Sequence, residues 1–514
     1  MTEGLLSGGR VVAVGGAKGG SGHSTLSLGL AVFIAQLGKK VLFVDAQPRH
    51  TTHGATLGVS RNPRQQPPWA PSALQLRGVE TSVPNLRLVE ASREEGLSML
   101  RGTRKLRDLA ARTPADLVVV DLGSGLSSRS LDMMLDADAL LTTATPEPDA
   151  VEAVYRLVRN LYARRLGRHL RALSLDPPRG LAEPLDLARR RLSAVCARWG
   201  CPPTPLELAS AVLDAAPALA DAVWSDFGQP KLRVVVNASR MRADLELGDA
   251  MARVTHRPFG GTLEYLGNIE YDDAVFLAAR RRRPLLIDVP SSKAARNIER
   301  LARRLLALEA GRLAQSAATP AGPPQAPTHY EVLAVDRGAS DEEIRRAYRK
   351  TREIYTADAV ALSGLLTDED LSSMVARIEE ARDVLLDPAR RRPYELSVTP
   401  ESERARAPEV AADAASAELE LPAAAMPELT AETEYTGALL RAIREARGVR
   451  LDEVASRTKI ALGFLKALED EEFTTLPQAV YARGFVTEVA KFLKLDVEQV
   501  VRTYMHRYRR AQPS

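Results

Sequence analysis

Nine residues near the amino terminus, Ala17-Lys18-Gly19-Gly20-Ser21-Gly22-His23-Ser24-Thr25, constrain this chain more than any other segment. They join a short apolar run, Val11–Val14, to a longer one with helical spacing, Ser24–Leu37. A strand, a glycine-rich loop and a helix, in that order, let backbone N–H groups close around phosphate, and the helix N-terminus adds positive potential. Further apolar runs follow at Lys40–Val44, which leads into Asp45, at Asp116–Val120, which leads into Asp121, and at Ala139–Thr143 and Leu232–Val236. Apolar strands alternating with helices predict a parallel sheet covered on both faces. Ligands of such sheets bind beyond the carboxyl ends of the strands. Gly16–Ser24, Asp45–Arg49, Asp121–Gly125 and Asn237 should therefore converge on one edge.

The chain has 514 residues, room for about three domains at ~100–200 residues each. Two stretches poor in apolar spacing, from about Gly311 to Pro327 and from Ser397 to Glu432, read as flexible linkers. The predicted architecture is an α/β P-loop domain with a parallel sheet (1–310), then two small all-α modules joined by flexible linkers. The boundaries are a helical insertion at about 163–231, a linker at 311–327, a module at 328–396, a linker at 397–432 and a module at 433–510. A net charge of +4 is small for this length and argues against a nucleic-acid coat, though one basic module is compatible with it. The two cysteines, Cys196 and Cys201, fit neither a zinc pair nor a redox pair. The start of the chain lacks a signal-peptide pattern, and no stretch approaches the ~18–20 apolar residues of a membrane span. A cytoplasmic location without direct membrane insertion is expected.

The loop resembles that of the MinD/ParA superfamily of deviant P-loop ATPases, whose pattern is KGGxGK[ST], and the resemblance covers roughly Arg10–Leu308. Asp121-Leu122-Gly123-Ser124-Gly125-Leu126, Thr145-Pro146-Glu147-Pro148-Asp149-Ala150, Val235–Asn237 and Tyr265-Leu266-Gly267-Asn268-Ile269 bring it closest to the FlhG-type branch, which regulates flagellar number and placement. The resemblance implies ATP and Mg²⁺ as ligands. Lys18 becomes the signature lysine that reaches the partner subunit's nucleotide in a homodimer. Lys18, Gly19, Gly20, Ser21, Gly22, His23, Ser24 and Thr25 become the phosphate cradle. Ser24 and Asp121 become the Mg²⁺ ligands, Asn237 the adenine contact, and Lys18, Asp45 and Asp121 the catalytic set of an active enzyme.

Two departures weaken the word ATPase. His23 stands where the family has the lysine that grips the terminal phosphates, and histidine is shorter and, at a reference pKa of ~6.5, mostly neutral. The acidic D-x-D after the second strand reads Asp45-Ala46-Gln47, which removes a carboxylate near the metal and the attacking water; a glutamine orients water in some GTPases. Weakened binding of ATP and Mg²⁺ and a weak or inactive ATPase are expected. The insertion reads as helices Leu185–Trp199 and Leu206–Trp224, a partner surface or a solvated decoration. Arg280–Arg283 reads as a solvated face, with anionic lipid or DNA as the other reading. His50 and His53 fall in a polar loop with no metal role expected.

In the module at 328–396, Ser340-Asp341-Glu342-Glu343 opens a helix with a capping-box pattern, and a second long helix is predicted over Asp368–Leu386. Tyr330-Glu331-Val332-Leu333, Glu343–Lys350 and Ala381–Arg392 with Tyr394 resemble a J domain. The family's His-Pro-Asp is replaced by Thr356-Ala357-Asp358, so co-chaperone action is not expected. The last module reads as short helices at Leu439–Ala446, Leu451–Thr458, Ala461–Glu469, Ala479–Phe492 and Val497–Tyr508. Leu451-Asp452-Glu453-Val454-Ala455, Thr458-Lys459-Ile460, Leu465–Glu469, Leu476-Pro477 and Tyr481-Ala482-Arg483-Gly484-Phe485 resemble the helix–turn–helix domain of RodZ, which contacts the MreB filament. The second helix offers one lysine and an acidic end, which suits a protein partner; the basic tail Arg502–Arg510 keeps DNA open as a partner. Together the modules describe a spatial regulator or scaffold for a cell-pole, motility or cytoskeletal assembly, with an ATP-dependent dimerising switch and a transcriptional regulator as the alternatives.

Overall fold

The computed structural model describes residues 10–47, 53–59, 78–90, 110, 113–198, 202–314, 326–398 and, with short gaps, 433–511. The chain divides into two compact units, Met1–Thr399 and Pro400–Ser514.

The first unit is built on an eight-stranded sheet in the order β3-β4-β2-β5-β1-β6-β7-β8. Its strands are β1 (Arg10–Gly16), β2 (Val41–Asp45), β3 (Val79–Glu80), β4 (Leu86–Glu90), β5 (Leu117–Ser124), β6 (Ala139–Ala144), β7 (Leu232–Ser239) and β8 (Leu263–Glu270). All neighbouring pairs are parallel except β3 with β4. The five predicted strands are present. β4 and β8 lack the continuous apolar run that marks a doubly buried strand, and their burial is interrupted along their length.

One face of the sheet carries α1 (His23–Gln36) and α11 (Lys293–Ala314), whose Leu30, Ile34, Ile298 and Leu305 pack on Val12, Phe43 and Val119. Between them in the sequence come α2 (His53–Thr56), α3 (Ser128–Leu135), α4 (Pro148–Leu173), the insertion helices α5 (Ala182–Arg198), α6 (Pro205–Ala215) and α7 (Ala220–Asp226), then α8 (Arg242–Thr255), α9 (Asp273–Arg281) and α10 (Leu285–Asp288). α3, α4 and α8 cover the second face. α4 runs unbroken to Leu173, so the insertion begins later than the 163 expected from the sequence. Its second predicted helix is divided at Pro217 into α6, a 3₁₀ turn and α7. Leu166, Leu170, Leu185, Leu208 and Val223 give the insertion a small core of its own. α11 extends four residues past the predicted domain end at 310. The rest of the first linker, 315–325, and the second, 399–432, lie outside the described residues.

The J-like module consists of α12 (His329–Leu333), α13 (Asp341–Ile354), α14 (Asp368–Leu386) and α15 (Pro388–Val398). The capping box at Ser340 and Glu343 is formed, and α14 has the predicted bounds. Read from the sequence as tethered, the module is packed against α4 and α8. Tyr330, Leu333, Ile344, Ala361 and Ile378 join one apolar core with Val154, Tyr155 and Met251. The buried Tyr155 Oη donates to Ala361 O at 2.6 Å, and Arg159 donates to Gly364 O at 3.1 Å. Gly364, at φ +65°, lies where a Cβ would stand 2.5 Å from the Glu152 side chain, so the loop after Thr356-Ala357-Asp358 closes directly on α4. Tyr155→Phe strands a buried carbonyl, which costs about 1–3 kcal/mol. A faster proteolytic release of the 328–396 module, with the sheet domain left intact, is the expected measurement.

The second unit contains α16 (Gly437–Ala446), α17 (Leu462–Glu469), α18 (Ala479–Phe492) and α19 (Val497–Ala511) around Leu440, Ile443, Leu465, Val486 and Tyr504. Of the predicted helix at 451–458, Leu451, Val454 and Thr458 are described and helical. Leu476-Pro477 lies outside the described residues.

Candidate nucleotide site

β1 ends at Gly16 and the chain turns through the glycine loop into α1. Gly22 takes φ +89°, and no side chain caps the helix. A helix start leaves its first backbone N–H groups without intrahelical partners, so the loop keeps the donors of a phosphate cradle. Ser21 Oγ is hydrogen bonded to Thr143 Oγ1 on β6 at 2.8 Å. Asn237, at the end of β7, donates Nδ2 to Ser21 O at 2.9 Å, and a Cβ on Gly22 would stand 2.1 Å from that nitrogen. Asn237, the residue expected to contact adenine, thus also braces the loop. Thr25 sits in the first turn of α1, half-buried.

Lys18 stays on the surface, where Nζ lies 3.2 Å from Glu147 Oε2 and 3.8 Å from Asp149 Oδ2 at the start of α4. Exposed pairs of this kind contribute about 0–1 kcal/mol, so the lysine is held lightly.

His23 behaves differently from a loop lysine. Its ring is folded inward, 8% exposed, with Nδ1 occupying the space that a Cβ on Gly16 would need. Nδ1 has no hydrogen-bond partner, and Nε2 lies 3.9 Å from Asp121 Oδ1. Burial lowers the pKa of the ring; Asp121 opposes this and His53 reinforces it. The side chain at this position therefore supplies no fixed positive charge to the loop.

Asp45 and Asp121 lie opposite each other on the neighbouring strands β2 and β5, both fully buried. Burial raises the Asp45 pKa to about 6, although His53 and the backbone N–H of Gln47 favour the carboxylate. Its Oδ1 accepts from Gln47 N at 3.1 Å, and its Oδ2 has no partner. Asp121 is crowded with donors. Oδ1 accepts from Gly123 N at 3.0 Å; Oδ2 pairs with His53 Nε2 at 3.0 Å and accepts from Gln47 Nε2 at 3.1 Å. Gln47 Nε2 also donates to Ser24 Oγ at 3.1 Å, so one carboxamide links the two residues expected to hold Mg²⁺. Gln47 is seated by Gly123, where a Cβ would stand 2.7 Å from its Cγ.

His53 is the residue that the sequence reading misplaced. It opens α2, is 4% exposed, and meets Phe43 edge to face with ring centroids 4.9 Å apart. Gly54 N donates to Glu90 Oε1 at 3.0 Å and Leu57 is fully buried, which pins the turn against the sheet. The signal was His53 and Leu57 four residues apart before Gly58, one face of a helical turn closed by a glycine at φ +70°. Burial disfavours the charged imidazole, but the hydrogen bond to Asp121 and the charges of Asp45 and Asp121 outweigh it and raise the pKa. Burial likewise works against the Asp121 carboxylate and is outweighed by His53, so that pKa is lowered. The two form a buried ion pair. His50 lies outside the described residues, and among the described residues no cluster of acidic, histidine and cysteine side chains is arranged to hold a metal ion.

A parallel sheet whose central strand runs through a glycine loop into a helix, flanked by strand-end aspartates, defines a P-loop α/β domain. The chain belongs to the CobQ/CobB/MinD/ParA nucleotide binding domain family, which it matches over residues 12–285. It also matches the DnaJ domain over 328–395 and a helix-turn-helix domain over 439–500. It is 26% identical over 166 residues to the chromosome partitioning protein ParA of Caulobacter vibrioides, covering 30% of this chain and 62% of that one. It is 37% identical over 68 residues to the cytoskeleton protein RodZ of Streptococcus pneumoniae, covering 13% and 25% respectively. The chain thus spans less than two thirds of the length of these curated relatives. Among solved structures, the MinC:MinD cell division protein complex of Aquifex aeolicus aligns at 17% identity and a TM-score of 0.33, covering 61% of this chain and 99% of that one. No helix among the described residues is long and apolar enough to cross a membrane.

Proposed function

We propose that this chain is a cytoplasmic spatial regulator or scaffold of the MinD/FlhG type, whose eroded nucleotide site no longer turns over ATP efficiently. Its J-like and helix–turn–helix modules bind partner proteins in a cell-pole, motility or cytoskeletal assembly. The observation that carries this reading is the engagement of Asp121, the Walker-type acid, by His53 and Gln47, with a neutral, inward-folded His23 where the family has lysine. The J-like module supports it, because its Thr356-Ala357-Asp358 corner leads into a loop bound by α4. In the last module, Glu469 at the end of α17 is held inward by Arg444, and the exposed Lys466 is the one basic side chain of that helix; a protein partner suits such a surface better than base-edge readout. The test is steady-state ATP hydrolysis with Mg²⁺. Wild type and Asp121→Asn are expected to agree within twofold. A rate lost in Asp121→Asn would sink the reading.

The lightly held Lys18 favours a second reading, an ATP-dependent dimerising switch. ATP-dependent dimerisation in sedimentation experiments, abolished by Lys18→Ala, is its minimum requirement.

A further inference from the structure

The family implies Mg²⁺ between Ser24 and Asp121, and the groups present do not fit it. Mg²⁺ demands near-octahedral oxygen ligation at ~2.0–2.1 Å. Here the space between the two ligand positions is bridged by a hydrogen-bond donor. A carboxylate only accepts, so it is the nitrogen of the Gln47 carboxamide, 3.1 Å from both Ser24 Oγ and Asp121 Oδ2, that faces it. Asp121 Oδ2 also meets His53 Nε2 at 3.0 Å. With roughly two lone pairs per carboxylate oxygen, Oδ2 has none left for a metal. Oδ1 gives one to Gly123 N at 3.0 Å. What the cluster leaves open among the described residues is Asp45 Oδ2, one lone pair of Asp121 Oδ1 and the ring nitrogen Nδ1 of His23, a set that does not include the Asp121 Oδ2 and Ser24 Oγ pair bridged by Gln47.

We propose that this site excludes divalent cations, with the Gln47 carboxamide and the His53 ring filling the directions through which Ser24 and Asp121 would ligate one. Both side chains are anchored rather than adventitious. Gln47 rests on Gly123 and donates its backbone N–H to Asp45, and His53 is fixed by Phe43 and by the Gly54–Glu90 hydrogen bond. A cation bridging Ser24 Oγ and Asp121 Oδ2 would have to displace both donors, and the freed imidazole is buried with no second acceptor described for Nε2. This inference rests on the reading of the site as eroded and names what occupies it.

The probe is Mn²⁺, titrated into the full chain with and without ADP and followed by loss of the free-ion electron paramagnetic resonance signal. Wild type is expected to show no saturable site with a Kd below about 1 mM. Gln47→Asp/His53→Asn, which restores a carboxylate and opens Asp121, is expected to gain one at least tenfold tighter, with circular dichroism confirming the fold. Should that pair fail to fold, Gln47→Asp alone is expected to gain a weaker site. A saturable site in wild type that vanishes in Asp121→Asn overturns the proposal. So does a folded variant that gains nothing, since the two side chains would then not be what excludes the ion. ATP turnover surviving in EDTA would defeat the pseudo-ATPase reading and leave exclusion standing; Mn²⁺ binding without turnover does the reverse.

Discussion

His53→Ala is expected to destabilise the first unit by about 3–5 kcal/mol, the usual consequence of removing one partner from a buried ion pair. The imidazole and the Asp121 carboxylate are 5% and 0% exposed and lie 3.0 Å apart, so solvent does not replace the lost partner. Asp45, also fully buried, remains close enough to raise the cost of leaving Asp121 charged. The pH dependence has a definite sign. A histidine whose pKa is raised by folding contributes fully below its free value of ~6.5 and loses that contribution as pH climbs through the raised one. Asp121, lowered by folding, contributes above its free value of ~3.9 and loses that as pH falls through the lowered one. The gap in unfolding midpoint between wild type and His53→Ala should be wider at mildly acidic pH than in alkali. His53→Gln, which keeps a donor toward Asp121, should recover part of it. Equal melting of His53→Ala and wild type at mildly acidic pH would show that the pair is not formed.

The second large effect is expected in the carboxyl-terminal unit. Arg444 grips Glu469 through two parallel hydrogen bonds, Nε to Oε1 at 2.6 Å and Nη2 to Oε2 at 2.9 Å. Both side chains are about nine-tenths buried. The pair ties α16 to the end of α17, and Arg444 Nη1 also caps Val449 O. Glu469→Ala leaves the buried guanidinium only the exposed Glu445 carboxylate, 3.1 Å from Nη2, and should cost about 3–5 kcal/mol, a large part of the ~5–15 kcal/mol that holds a domain folded. Loss of the cooperative transition of residues 433–511 is the expected result, read by hydrogen exchange in the full chain. Replacing both partners, Arg444→Met with Glu469→Leu, should restore it, because an apolar pair of similar volume carries no desolvation penalty. A rescue that fails would mean that the ion pair sets the geometry of the helices rather than filling a gap.

The strands that carry the site were legible because each is buried on both faces, and a continuous apolar run ending in Asp45 or Asp121 has few other meanings. The J-like helices were legible through their caps and periodicity, and Ser340 with Glu343 marks the start of α13 to the residue. β4 and β8 were not, because partial burial breaks the run. His53 was not, because one pair of positions four apart, His53 and Leu57, is too short to make a periodic run, and what fixes the ring is Phe43 on β2, with Glu90 on β4 holding the turn through Gly54 N.

By itself the sequence determined a parallel-sheet domain with a phosphate-type loop, two further helical modules, and the exchange of a permanent cation for an imidazole at His23. These are statements about backbone preference and residue chemistry, which are local. Only the tertiary structure decided that His23 folds under the loop against Gly16, that Asn237 braces Ser21, that Gln47 and His53 meet on Oδ2 of Asp121, and that the J-like module shares a core with the P-loop domain. All but the contact of His23 with Gly16 join residues tens to hundreds of positions apart, where no pattern along the chain records which donor reaches which acceptor. The histidine in the loop was visible in the sequence; the contacts of Gln47 and His53 with Asp121 became visible once β2, β5 and α2 were set side by side.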